Sequence, residues 1–149
     1  MNEDEPAIAT FGSVSAEVIY TPRRAAYAVI KDGAGKIAAV GANGRYFLPG
    51  GGALMDEPPE ATILREVREE LARPARLIHK LGQAIQYFFA DGLYYRMEAT
   101  FYVAAFAGEA TGEGEHKLSW LEPSQAEMAF FHQSHAWATR QPWDIESDG

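Results

Sequence analysis

Over residues 59–72 the spacing of apolar residues changes from two to 3.6: Ile63, Leu64, Val67 and Leu71 share one stripe, and Pro74 stops the helix. An amphipathic helix set among segments patterned in twos has to bury its stripe on a sheet, which confines the chain to an α+β architecture. Upstream, Val14, Ala16, Val18 and Tyr20 alternate and predict a strand over 13–20; a second covers 24–31 after Pro22. Asp32-Gly33-Ala34-Gly35 turns the chain into 37–40, and Asn43-Gly44 predicts a hairpin into 45–48. Pro49-Gly50-Gly51-Gly52 reads as a loop. Segments 77–89 and 93–106, aromatic and β-branched, form a long hairpin about Asp91-Gly92. An acidic, glycine-rich loop over 108–114, a short strand over 117–121 and a helix over 123–140 complete the order, with Trp137 and Trp143 packing that helix on the sheet. The expectation is one domain over 1–149, a mixed sheet covered by helices, with loose tails at about 1–10 and 144–149.

The helix carries an electrostatic liability. At ~100° per residue Glu66, Glu69 and Glu70 fall within about a 100° sector, and like charges three and four apart cost roughly 0.2–0.5 kcal/mol per pair. Arg65, four residues before Glu69, offers the local relief. A divalent cation reverses the sign of that cost, and oxygen-only carboxylate clusters suit Mg²⁺ or Mn²⁺ held together with water and substrate phosphates. The glycine run just before the helix lets backbone approach a ligand closely, so a phosphate would sit between loop and metals. The plain alternative is a solvated helix face after a simple turn.

Joined together, the two features weigh more. Gly51, five residues, Glu57, seven residues, Arg65-Glu66-Val67, one residue, Glu69-Glu70 resembles the Nudix box of the Nudix hydrolase superfamily. Seven specified positions coincide by chance on the order of 10⁻⁶ in a chain of this length. The resemblance spans 51–73 and extends to the Leu48-Pro49-Gly50-Gly51-Gly52 lead-in and to Trp120-Leu121 before the last helix, as in MutT-like members. Ala72 and Arg73 stand where the family has a glycine and an aliphatic residue, which implies a modified helix exit with all carboxylates kept.

The resemblance implies an α/β/α sandwich and a metal site of Glu66, Glu69 and Glu70 with the Gly50 carbonyl, Glu57 ligating or supporting through water and Arg65 orienting the carboxylates. It implies Mg²⁺ or Mn²⁺ and in-line attack of water on a nucleoside diphosphate linked to another group. The expected substrate is a nucleoside triphosphate, oxidised purines included; ADP-ribose, nucleotide sugars and dinucleoside polyphosphates are the alternatives, as is a nucleotide-binding module without turnover. For the general base the family points to the loop before the Trp120 strand, where Glu115 ranks before Glu113, with a solvated acidic loop as the plain reading. His116 is a weaker candidate on the same loop. Gly51 and Gly52, with Arg23 and Arg24 as phosphate donors, would meet the substrate, and Tyr46 and Phe47 lead the aromatic candidates for the base, followed by Tyr87, Phe89, Tyr94 and Tyr95.

Thirteen Lys and Arg against 21 Asp and Glu give a net charge of −8, a field that repels duplex nucleic acid. Without cysteine there is no thiolate nucleophile, zinc thiolate site or disulfide scaffold. No apolar run predicts a signal peptide or membrane span, so the expected setting is cytoplasmic; the resemblance implies a small nucleotide as the partner. The hairpin over 83–106 would supply either a homodimer surface or core. His132 and His135, three apart, are a weak metal pair, and Ser134-His135 lacks a nucleophile-elbow context.

Overall fold

A computed structural model describes residues 8–42 and 44–142. Five strands form one sheet in the order β1-β6-β7-β2-β5: β1 (Ala9–Phe11), β6 (Ala75–Ala90), β7 (Leu93–Phe106), β2 (Thr21–Val29) and β5 (Gly50–Gly52). A second sheet is ordered β4-β3-β8, from β4 (Arg45–Phe47), β3 (Ile37–Ala42) and β8 (Leu118–Leu121). The first is mixed: β2 runs parallel to β7 and antiparallel to β5, so Tyr27 faces Phe101 on one side and Gly50 on the other. Residues 25–30 are buried on both faces, as an inner strand with cores above and below requires.

Those two cores make the sandwich. On one face Ile63, Val67 and Leu71 of α1 (Pro59–Leu71) pack against Ala26, Ala28, Ile30, Ala38 and Val40. On the other, Ala126 of α2 (Ala126–Ala129) and Ala136 and Ala138 of α3 (Gln133–Thr139) join Ala25, Tyr27, Val29 and Phe101. The long hairpin gives Met97, Ala99, Phe101 and Val103 to the core, while Phe89, Leu93 and Tyr94 stay exposed near its tip. Its turn takes Asp91 and Gly92 to φ 52° and 80°, as predicted for that pair. Among the described residues no helix is long and apolar enough to cross a membrane.

Four expectations change. Residues 13–20 form no strand; they connect β1 at the sheet edge to β2, past β6 and β7, and leave Val14 and Ile19 exposed. Residues 9 and 10, expected in a loose tail, pair in parallel with Ala84 and Ile85. Gly50–Gly52 is an edge strand and not a loop. The helix over 123–140 breaks into a 3₁₀ turn, α2 and α3, because Phe130 and His132 are extended and the Phe131 N–H donates to the Tyr46 carbonyl at 3.0 Å. Pairing with β4 displaces helical continuation there. Asn43, Trp143 and residues 1–7 and 144–149 lie outside the described residues.

At the end of α1, Ala72 turns left-handed at φ 53° and ψ 36° and returns its N–H to the Arg68 carbonyl at 2.9 Å. The left-handed conformation costs a Cβ-bearing residue about 1–2 kcal/mol, partly offset by the freedom that glycine loses on folding. Ala72→Gly is therefore expected to stabilise the protein by about 0.5–1 kcal/mol, read as a rise of a few degrees in Tm; an equal or lower Tm would refute the strain.

Candidate active site

β5 and α1 build the site between them. In the antiparallel pairing with β2, Gly50 and Gly52 turn their peptide groups away from β2 and towards α1: the Gly50 N–H donates to Glu70 Oε1 at 3.0 Å, and Arg65 Nη2 donates to the Gly52 carbonyl at 3.0 Å. Space requires glycine at position 50 and, as long as the Glu66 side chain keeps its place, at position 51. A Cβ on Gly50, already at φ 141°, would lie 2.2 Å from the Ala26 carbonyl oxygen, and one on Gly51 would lie 2.8 Å from Glu66 Oε2.

Arg65 is the hub. Its guanidinium grips Glu57 from Nε and Nη2 at 2.8 and 2.9 Å, and from Nη1 reaches Glu66 at 2.8 Å and Glu69 at 3.2 Å. A planar fork with five donors suits this task. Glu57 also accepts from the Leu54 N–H and the Thr62 hydroxyl, so the structure commits it to holding Arg65 and the loop, away from the cleft. Arg65 and these bonds hold the Glu57 carboxyl down to about 2.

Glu70 is the opposite case. Burial pushes its carboxyl up to about 8 against the pull of the Gly50 amide, and the charges of Glu66, Glu115 and Glu69 push the same way. Burial also raises Glu66, with Arg65 opposing. Glu69 is the exposed member. Among the described residues no three acidic or imidazole groups converge as a ready-made metal cage. The donor set still fits a hard divalent cation in kind: it is made of oxygen alone, and carboxylates that burden one another are relieved by positive charge.

A cleft of about 660 Å³ runs from this acidic end to an aromatic one. Gly50, Gly51, Gly52, Glu66, Glu70 and His116 line the first; Phe47, Phe88, Tyr95, Phe131 and His132 line the second with Arg45, and Arg23 lies between them, 6.0 Å from the Tyr95 ring centre and so near Gly52 that a Cβ there would be 3.1 Å from its Nη2. Tyr27 sits in its wall, its hydroxyl pushed up to about 12 by burial. Glu115 lies outside this lining, in the adjoining depression, close enough for its charge to bear on Glu66 and Glu70.

Other residues fall elsewhere. Arg24, expected beside Arg23, is on the opposite face of β2 and donates to the Leu54 and Glu57 carbonyls at 3.2 Å. Tyr46 packs on the core and lines the adjoining depression with Glu115 and His116 instead of the cleft. Tyr87 and Tyr94 gather round Tyr20, while Phe89 lines the cleft near the hairpin tip. Sequence reasoning missed Tyr27, Arg45, Phe88 and Phe131 as cleft residues, although a hydroxyl inside the apolar run of β2 is a usable sign for Tyr27. His132 and His135 face each other edge-on, 5.0 Å between ring centres, and His135 Nδ1 accepts the Leu48 N–H at 3.0 Å; the pair is a packing device.

A family model described as the NUDIX domain matches residues 21–144. Among solved structures, the MutT NUDIX hydrolase of Burkholderia pseudomallei is 26% identical and superposes with a TM-score of 0.65, over 83% of this chain and 99% of that one. An ADP-ribose pyrophosphatase of Streptococcus suis is 17% identical at a TM-score of 0.60, over 83% and 97% of the two chains. The dihydroneopterin triphosphate pyrophosphohydrolase of E. coli is 16% identical at a TM-score of 0.61, over 81% and 94%. No curated protein matches the chain.

Proposed function

The chain belongs to the NUDIX domain family, and on that premise we propose that it is a Mg²⁺-dependent pyrophosphohydrolase of a nucleoside triphosphate or a related nucleoside diphosphate compound. The observation that carries this reading is the cleft itself, with clustered carboxylates against a glycine strand at one end, aromatic rings with Arg45 at the other and Arg23 between them. A pyrophosphate suits the first and a nucleobase the second.

Glu66, Glu70 and the Gly50 carbonyl would hold the ion, with Glu69 at its exposed side. When bound, a divalent ion neutralises the pyrophosphate and lowers the pKa of water. The chain's own residues do the rest. Arg65 fixes Glu66 and Glu69 in their rotamers while Glu57 fixes Arg65. The β5 glycines leave room for phosphate oxygens, Arg23 donates to the substrate, and the Glu115 carboxylate takes the proton of the attacking water. The rings of Phe47, Phe88 and Phe131 offer stacking worth roughly 1–3 kcal/mol per base.

The structural neighbours bear names with different substrates, which supports the reaction class and leaves the compound to experiment. Incubation with nucleoside triphosphates (oxidised purines included), ADP-ribose and dinucleoside polyphosphates, with and without Mg²⁺, is expected to give a nucleoside monophosphate from one of them only when Mg²⁺ is present. Binding without any product would make the protein a nucleotide-binding module instead.

A further inference from the structure

The segment between β7 and β8 is fastened to the end of α1 through the main chain. The last carbonyls of a helix have no partners within it, and here the loop supplies them. The Glu115 N–H donates to the Glu69 carbonyl at 3.0 Å and the His116 N–H to the Glu70 carbonyl at 2.9 Å. The Thr111 N–H and hydroxyl both donate to the Ala72 carbonyl, at 2.7 and 3.0 Å. None of these bonds uses the Glu115 side chain. They tie its backbone to the helical turn that bears Glu69 and Glu70.

Gly114 lies at the point of closest approach. A Cβ there would sit 2.1 Å from the Glu70 carbonyl oxygen and 2.6 Å from the Leu71 nitrogen, so any side chain forces the loop off the helix by about 1 Å. The demand comes from space alone, because Gly114 is not among the residues at positive φ. Gly112, two residues earlier on the same loop, would meet nothing within 4 Å.

We infer that Gly114 is a positioning residue: its bare Cα lets the loop lie on the last turn of α1 and so sets Glu115 relative to Glu69 and Glu70. This rests on the reading of Glu115 as the base. A displacement of about 1 Å in a group acting on the reacting atoms costs on the order of 10²-fold in rate.

The test measures kcat and KM with Mg²⁺ on dGTP and on ADP-ribose for Gly114→Ala, Gly112→Ala, Glu115→Gln and the double variant Gly114→Ala/Glu115→Gln, and follows amide hydrogen exchange in the same proteins. Gly114→Ala is expected to lower kcat at least about tenfold with KM within about twofold, and to expose the Glu115 and His116 amides to exchange. Gly112→Ala should do neither. In the Glu115→Gln background the Gly114 substitution should cost nothing further, since it acts through that carboxylate. An undiminished cost in that background, or amides that stay protected in Gly114→Ala, would overturn the proposal. Parental kcat in Glu115→Gln alone would instead remove the base role from Glu115, and amide exchange, which needs no substrate, keeps that failure apart from failure of the clip.

Discussion

Replacing Glu70 by glutamine is expected to lower turnover by on the order of 10³ while the protein stays folded. The carboxylate is buried beside the Gly50 amide at the acidic end of the cleft, and a ligand oxygen lost from a metal-assisted displacement costs several kcal/mol of barrier. Glutamine has the same shape and keeps an acceptor for the Gly50 N–H, so the loss is one of charge. Addition of Mg²⁺ should raise the Tm of the parent and leave that of Glu70→Gln where it was.

Stability in metal-free buffer separates a chemical loss from a folding defect. Because the Glu70 carboxyl is raised from its ordinary value to about 8, folding favours the protonated form; its contribution is complete below pH ~4.5 and is lost as pH rises through about 8. Glutamine mimics the protonated acid at every pH. The variant should therefore match the parent near pH 5 and melt above it at pH 8. A variant that turns over at the parental rate would sink the site assignment, and one that melts well below the parent at both pH values would place Glu70 in the fold instead.

How much of this was legible in the sequence follows from which constraints are local. The 3.6 period of α1, the strand after Pro22 and the Asp91-Gly92 turn are local, and the structure has all three. β5 is not: three glycines have no strand preference of their own, and the close approach to Ala26 and Glu66 that their bare Cα atoms permit involves residues distant in sequence. The break at Phe130–His132 is equally nonlocal, since it depends on β4. Period two, by contrast, already separates Arg23 from Arg24, so only one of the two can enter the cleft. The spacing of the glutamates put the carboxylates on one face, but that Glu57 would be spent on Arg65 emerges only from the bonds between them.

Acidification should expose a second buried electrostatic cost, at His132. Its ring is 4% exposed among Phe47, Phe88 and Phe131, and burial, with Arg23 on β2 and Arg45 on β4 nearby, pushes it down to about 4. His135, packed against it from α3, is lowered by burial too. The unfolded chain takes up these protons near pH 6.5 and the folded chain only near 4 for His132, so this contribution to stability is intact above pH 6.5 and lost as pH falls towards 4. A depression from 6.5 to about 4 corresponds to about 3 kcal/mol. Glu66 and Glu70 act in the opposite direction over the same range, being raised, so the parent's own pH profile mixes both signs and the informative quantity is a difference between proteins. His132→Phe keeps the ring, joins an aromatic nest and removes a buried nitrogen, Nδ1, that has no hydrogen-bond partner. Its advantage in unfolding free energy over the parent is expected to grow by about 3 kcal/mol between pH 7 and pH 4, read by denaturant titration at each pH. A constant difference across that range would mean that the imidazole is charged in the fold, and that the cleft wall it forms is wetter than its burial implies.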